Sequence, residues 1–306
     1  MNPIESMQTF ARVAELASFT QAADSLGIPK ASVSNAVQQL ENQLGARLLH
    51  RTTRKVQLTQ DGQVFYERCK DLLADIDDVQ TMFQQLDPQT LRGRVRVDMS
   101  TGIARNVVIP RLPELLRQYP RLEMEISSTD RRVDLVREGF DCVLRVGGGV
   151  DQGLIARPLG VLHMVNCVSP TYIAAYGNPT SLADLAAHRL IHYASTLGTQ
   201  SSGFEYVEAG QSSSYAMAGS VTVNSADGYR AACLAGLGII QVPRMGVQDA
   251  LADYSLIEVL PEWVPQPMPL TLLYANRRNL SKRVRIVMDW LAQVVTERQK
   301  IAQLRA

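Results

Sequence analysis

Along the first sixty residues the apolar positions keep a helical period. Met7, Phe10, Val13, Ala14 and Ala17 fall three and four apart in "MQTFARVAELASF", which predicts an amphipathic helix. Ser18 or Thr20 can cap a second helix over "TQAADSLG", where the small Ala22 and Ala23 permit a close crossing and Gly27 supplies the turn. A third predicted helix, "PKASVSNAVQQLENQLG", opens with Pro29 and closes on Gly45. Its stripe of Val33, Val37, Leu40 and Leu44 points inward. Ala31, Asn35, Gln38 and Asn42 fall on the opposite face, with Ser32 and Ser34 at the margins. A polar helix face taken alone is more often just solvated surface. This one is followed at once by Arg47, Arg51, Arg54 and Lys55 with no acid among them, and "RTTRKVQLT" reads as a turn and strand with Val56 and Leu58 facing in. Asn and Gln amides suit adenine edges, and Ser hydroxyls and guanidinium groups suit phosphates. The spacing therefore predicts a DNA-reading helix pair with a basic wing.

A heptad period then takes over. Phe65, Cys69, Leu72, Ile76, Val79, Phe83 and Leu86 alternate by four and three without an intervening Pro. One long helix pairing with a copy of itself is the natural expectation, and a helix laid on its own domain is the other. Beyond residue 91, strand and helix alternate: "GRVRVDMS", "IARNVVIPRLPELLRQYP", "LEMEIS", "RRVDLVREG" and "FDCVLRVG". That alternation predicts a parallel sheet with helices on both faces. It recurs in "VNSADGYRAACLAGLGIIQVP" and ends with a strand and helix after residue 267.

Ligands of such sheets bind beyond the strand C-termini. Ser100 and Thr101 follow the first strand and can cap the next helix; Asn224 and Ser225 can cap one in the second half. Free N–H groups there favour a carboxylate or other anion, although an N-cap without a ligand is the commoner use. Thr129, Arg145 and the loop residues His192, Ser195 and Thr196 are candidates for the same cleft. "RVGGGV" lacks the helix that a phosphate loop would open and reads as a tight turn.

Composition narrows the classes. The chain has 306 residues, enough for two or three domains, and a net charge of +1, so a charge-driven partner must be met by a local patch. Cys69, Cys142, Cys167 and Cys233 are scattered, and His50, His163, His188 and His192 show no metal spacing. Reduced thiols are expected, with no disulfide framework, zinc site or cofactor. Ser195 has no nucleophile elbow around it. Glu5 sits where a signal peptide would be basic, and "AACLAGLGIIQVP" is shorter than the ~20 residues of a spanning helix. A soluble, cytoplasmic protein with no membrane partner is the expectation.

"FARVAELASFTQAADSLGIPKASVSNAVQQLENQLGARLLHRTTRKVQLTQDG" resembles the winged helix-turn-helix of LysR-type transcriptional regulators. "SFTQAA", "LG", "VS", "LE", "LGARLLHRTTR" and "LTQDG" carry the resemblance, and "LVREGFDCVLRVG" and "LAGLGIIQVP" extend it to the back of the chain. Pro29-Lys30-Ala31 and Asn35 depart from the family's recognition helix, so no base preference transfers. The resemblance implies a DNA-binding domain over 1–58, a dimerising linker helix over 59–88 and an effector-binding α/β domain over 89–306 similar to periplasmic binding proteins. The last would comprise subdomain I, 92–161 plus 268–306, and subdomain II, 162–267. DNA contacts would come from Lys30, Ser32, Ser34, Asn35, Gln38, Arg51, Thr52, Thr53, Arg54 and Lys55. Implied partners are double-stranded DNA with an interrupted palindrome, a small-molecule effector, further copies as a dimer of dimers, and RNA polymerase. An enzyme on a two-lobed α/β fold is the alternative, but it has no need of the front domain and heptad helix. A solute-binding protein of a transporter is opposed by the N-terminal sequence.

Overall fold

The computed structural model describes residues 2–51, 56–80, 91–149, 153–199, 202–275 and 280–304. The chain forms two compact units, the first containing the residues up to Arg94 with Arg121–Glu123 and Ser281–Arg283, the second the remainder.

The first unit runs α1 (Pro3–Leu16), α2 (Phe19–Leu26), α3 (Lys30–Leu44), β1 (Leu49–Arg51), β2 (Val56–Leu58) and α4 (Gln60–Gln80). Local chemistry sets the boundaries. Asn2 and Glu5 form a capping box on α1, and the Ser18 hydroxyl accepts the Gln21 N–H at 3.3 Å to open α2. Gly27 and Gly45, both at φ 66°, close α2 and α3. Two expectations shift by a residue: Ala17 is left-handed at φ 47° and ends α1 instead of extending its face, and Pro29 is the N-cap of α3. Phe10, Val13, Val33, Val37, Leu40, Leu48 and Leu49 form one buried cluster. Leu44, expected in the stripe, is 45% exposed, because α3 ends beside it.

α4 packs along α1, and this corrects the heptad seam. Cys69 is 1% exposed inside the α1–α3 core and Phe65 lies 5.5 Å from Phe10, so both serve the chain's own core. Leu72 and Val79 are 48% and 65% exposed, and Ile76 is half-buried. Phe83 and Leu86 lie outside the described residues.

The second unit begins within β3 (Arg92–Met99). It continues through α5 (Thr101–Ile103), a π turn, a 3-10 turn and α6 (Leu112–Gln118). β4 (Arg121–Ser128), β5 (Cys142–Val146), β6 (Leu154–Leu162), β7 (Met164–Val168), α7 (Pro170–Tyr176) and β8 (His192–Tyr193) come next. β9 (Phe204–Glu208), β10 (Gln211–Tyr215), β11 (Thr222–Val223), α8 (Ala226–Leu234), β12 (Ile240–Pro243), α9 (Arg244–Ala252), β13 (Ile257–Glu258), β14 (Met268–Ala275) and α10 (Lys282–Leu304) complete it.

One lobe is built on a five-stranded sheet, β4-β3-β5-β14-β6, and the other on a three-stranded sheet, β12-β7-β13. The expected parallel sheet is mixed. β3 and β5 are parallel, but β14 runs antiparallel to both β5 and β6. Its chain returns from the other lobe and needs no crossover helix to pair. Pro158 is tolerated on edge strand β6, beside the irregularity where the register shifts between Leu270 and Thr271.

Two predicted helices also differ. "IARNVVIPRLPELLRQYP" is broken into α, π, 3-10 and α segments by Pro110 and Pro113, which lack the N–H a continuous helix uses. "RRVDLVREG" is not a regular helix: residues 131–134 lie in no regular element and 135–139 form a hydrogen-bonded turn, with Val133 and Leu135 buried and Val136 64% exposed.

Candidate DNA interface and effector pocket

On α3, Lys30, Asn35, Gln38 and Asn42 are exposed and Ser32 and Ser34 half-buried, while Val33, Ala36, Val37 and Leu40 are buried beneath them. The amides thus lie together on one open face. Glu41 ties the end of α3 to the hairpin strand: one carboxylate oxygen accepts the N–H groups of Leu48 at 2.8 Å and Leu49 at 3.1 Å. β1 and β2 pair as that hairpin, with Leu49 opposite Leu58. Thr59 holds its base by donating to the Arg47 carbonyl at 2.6 Å and accepting the Gly62 N–H at 2.8 Å. Arg47 and His50 are exposed beside this hairpin. Thr52, Thr53, Arg54 and Lys55 lie outside the described residues, as does the side chain of Arg51. Glu41 and Thr59 were not singled out by the sequence pattern, although "LE" and "LTQDG" contain them.

In the second unit a cavity of about 390 Å³ opens between the two lobes. Ser100, Thr129, Arg145 and Ser195 line it, but Thr101, His192, Thr196, Asn224 and Ser225 do not. The physical reasons are local. Ser225 is used as the N-cap of α8, accepting the Gly228 N–H at 3.1 Å, and Asn224 is exposed. His192 packs its ring over Gly219, and the Thr196 carbonyl closes a turn with Thr199. Ser100 makes no side-chain cap.

Acidic residues that the sequence pattern did not single out organise the rest. Asp98, fully buried on β3, accepts from Thr129 Oγ1 at 2.9 Å and pairs with Arg145 at 3.3 Å. Burial raises its pKa, and hydrogen bonds from Ser127 and Thr129 and the Arg145 charge oppose that only in part. Asp130 accepts two backbone N–H groups, that of Thr101 at 3.1 Å and that of Ala226 at 2.6 Å.

Five arginines reach the cavity wall, Arg105, Arg131, Arg132, Arg145 and Arg230, against Asp130 and Asp227. Arg105 pairs with Asp227 at 2.6 Å. Arg131 pairs with Glu138 at 2.6 Å and holds that carboxyl down to about 2. The rings of Tyr193 and Tyr229 meet at a tilt, 5.4 Å apart, on another wall. Burial pushes the Tyr193 hydroxyl up to about 12, with the Asp130 carboxylate adding to the rise. Val133, Leu135, Val143, Leu162, Met164 and Met268 supply apolar surface.

The four cysteines are buried and free. Burial pushes the Cys69 thiol up to about 11 and Cys233 to about 12, and raises Cys142 and Cys167 as well, so none carries thiolate character near neutrality. Among the described residues no three His, Cys, Asp or Glu side chains are placed to hold a metal ion, and no helix is long and apolar enough to cross a membrane.

Both parts of the chain match known families. Residues 4–63 match the bacterial regulatory helix-turn-helix protein, lysR family, and residues 88–296 match the LysR substrate binding domain. The chain belongs to the LysR family. A LysR-family chain of this length has full-length relatives: the HTH-type transcriptional regulator YhjC of Escherichia coli (strain K12) is 47% identical over 97% of this chain and 99% of its own. An HTH-type transcriptional repressor of Pseudomonas aeruginosa (strain UCBPP-PA14) is 36% identical, covering 98% and 95%. Among solved structures, the LysR-type regulator CrgA from Neisseria meningitidis superposes with a TM-score of 0.60 at 27% identity over 94% of this chain and 97% of that one. This LysR protein is accordingly a DNA-binding transcriptional regulator with an effector-binding domain, and not an enzyme.

Proposed function

We propose that the chain is a cytoplasmic regulator that reads an interrupted palindrome as a dimer of dimers and responds to a small anionic effector in the interlobe cavity. The DNA-binding part spans 1–58, the linker 59–88 and the effector-binding part 89–306, with subdomain I at 92–161 plus 268–306 and subdomain II at 162–267. Asn35 and Gln38 meet base edges; Lys30, Ser32, Ser34 and the wing from Arg51 through Thr52, Thr53, Arg54 and Lys55 meet phosphates. The exposed Leu72 and Val79, with Ile76 between them, form the face of α4 that takes a second copy; Phe83 and Leu86 are assigned to the same contact from the heptad spacing of the sequence alone. RNA polymerase is the remaining partner.

The observation that carries the effector reading is the composition of the cavity wall. Five arginines line it beside two aspartates and apolar side chains. Arg105, Arg131 and Arg145 are paired with Asp227, Glu138 and Asp98, and the further guanidinium groups of Arg132 and Arg230 suit an anion with an apolar body. A thermal-shift screen of the full chain against aliphatic and aromatic carboxylates tests it. A ligand at 100 times its dissociation constant adds about 2.7 kcal/mol, a rise of a few degrees at the midpoint. Protection by cationic or neutral compounds alone would sink the anionic assignment.

Helix and wing should separate in their readouts. Gln38→Ala is expected to relax base preference at one position by about 1–3 kcal/mol. Arg54→Ala is expected to weaken binding to every sequence and to flatten the log–log salt slope by about 0.9. Gel-shift titrations at several salt concentrations measure both. Identical behaviour of the two variants would contradict the division of roles.

A further inference from the structure

Two backbone N–H groups, that of Thr101 beside the cavity and that of Ala226 in its lining, are already occupied by a carboxylate of the protein itself. Asp130 lies in the loop after β4, and its two oxygens go to different lobes. Oδ1 accepts from Thr101, just beyond β3 of the five-stranded sheet, and Oδ2 accepts from Ala226, the first residue of α8. One side chain thereby ties the lobes across the cavity it lines. The charge sits where the partial positive end of α8 favours it, and no other side chain accepts from either N–H among the hydrogen bonds described.

We propose that Asp130 is a built-in competitor for the anionic group of the effector, and therefore a residue that sets its specificity. The inference rests on the reading that the effector is an anion in this cavity. A free carboxylate that took these N–H groups would replace like with like, with two hydrogen bonds lost and two regained. No net hydrogen bonding would reward the exchange. The tethered carboxylate also competes at the high effective concentration of an intramolecular partner. Binding must therefore be driven by the rest of the ligand, by apolar contact with such walls as Val133 and Met164 and by the arginines around them. Small carboxylates without an apolar body are excluded, and larger ones are admitted. Displacing Asp130 also removes one of the links between the lobes, beside the Arg105–Asp227 pair and the Asn106–Gly246 hydrogen bond, so occupancy shifts the balance between lobe arrangements.

Acetate, too small to gain from the walls, is the probe. Hydrogen exchange of the full-length protein is followed in peptides containing Thr101 and Ala226, with and without acetate, in the parent and in Asp130→Ala. The parent should exchange slowly and ignore acetate. Asp130→Ala should exchange faster at both amides, and acetate should slow them again by roughly tenfold or more. Asp130→Asn, which keeps the shape and one neutral acceptor, should fall between them, and it carries the test if the alanine variant does not fold. Equal protection of parent and variant by acetate, or no protection of the variant, would overturn the competitor role. Acetate rescue of the variant, with no larger carboxylate protecting the parent in the thermal-shift screen, would show that Asp130 fills an anion site but would overturn the anionic effector and with it the specificity role.

Discussion

Gly62→Ala should destabilise the first unit and abolish DNA binding. Propensity alone argues the opposite, since Gly62 is inside α4 and alanine is a better helix former by about 1 kcal/mol. Sterics decide the sign. A Cβ at this position would lie 1.9 Å from the Leu48 carbonyl oxygen and 2.8 Å from its carbon. That carbonyl cannot simply yield, because it accepts the Thr59 N–H at 2.9 Å and Leu48 is 1% exposed in the core. Either α4 lifts from the base of the hairpin or the hairpin moves, and each breaks the Thr59 bonds that cap α4. Overpacking of this kind costs about 3 kcal/mol. Urea unfolding of the full chain should show the first transition moved to lower denaturant and the second unchanged. Gel shifts should lose every sequence together, while ligand protection of the effector-binding part persists. An equal or higher first midpoint would mean that the close approach relaxes without cost.

The "LTQDG" motif shows how far such a requirement can be read from sequence. Its glycine is visible in the chain, but the oxygen that excludes a side chain belongs to a residue fourteen positions earlier. Elements whose determinants are local were legible. The Val33, Val37 and Leu40 stripe, the Ser18 cap and the turns at Gly27 and Gly45 each depend on neighbours within a few residues. "RRVDLVREG" was not, because nine residues with Val133 and Val136 three apart satisfy a helical period as well as an extended one. Packing settled on an irregular stretch and a turn, burying Val133 and Leu135 against Val143 and Leu273. The cavity divides in the same way. Ser100 and Thr129 follow strands and could be placed near strand ends from topology. Asp98 and Asp130 could not, since their roles are defined by Arg145, Thr101 and Ala226, all remote in sequence. The seam residues Phe65 and Cys69 fail for a related reason: a heptad specifies an apolar face without saying whether α1 or a second copy covers it.

The second large effect is expected at Asn166, a fully buried amide on β7. Its Nδ2 donates to the carbonyls of Leu260 at 3.0 Å and Trp263 at 2.8 Å, and its Oδ1 accepts from Gln241 Nε2 at 2.8 Å. Gln241 in turn clamps Glu205 through both its backbone groups and lines the cavity. Asn166→Leu keeps the branching and the number of side-chain heavy atoms, in a bulkier form, but leaves two carbonyls and an amide N–H short of partners at a fully buried position. A loss of about 3 kcal/mol or more is expected, because unmade buried hydrogen bonds cost more than made ones contribute. Asn166→Asp separates this from packing. Its ionised form would set an oxygen against two carbonyl oxygens, whereas the protonated acid could still donate to one of them. The folded pKa of the new carboxyl would therefore lie above its unfolded value of about 3.9. A raised folded pKa gives a contribution present below the unfolded value and lost as pH rises through the folded one. The deficit of Asn166→Asp against the parent should thus be smallest in mild acid and grow toward neutrality, while that of Asn166→Leu should be flat. Urea midpoints of both variants at about pH 5 and pH 8 would show it, and parallel pH profiles would mean that the amide hydrogen bonds are not what holds this corner of the cavity together.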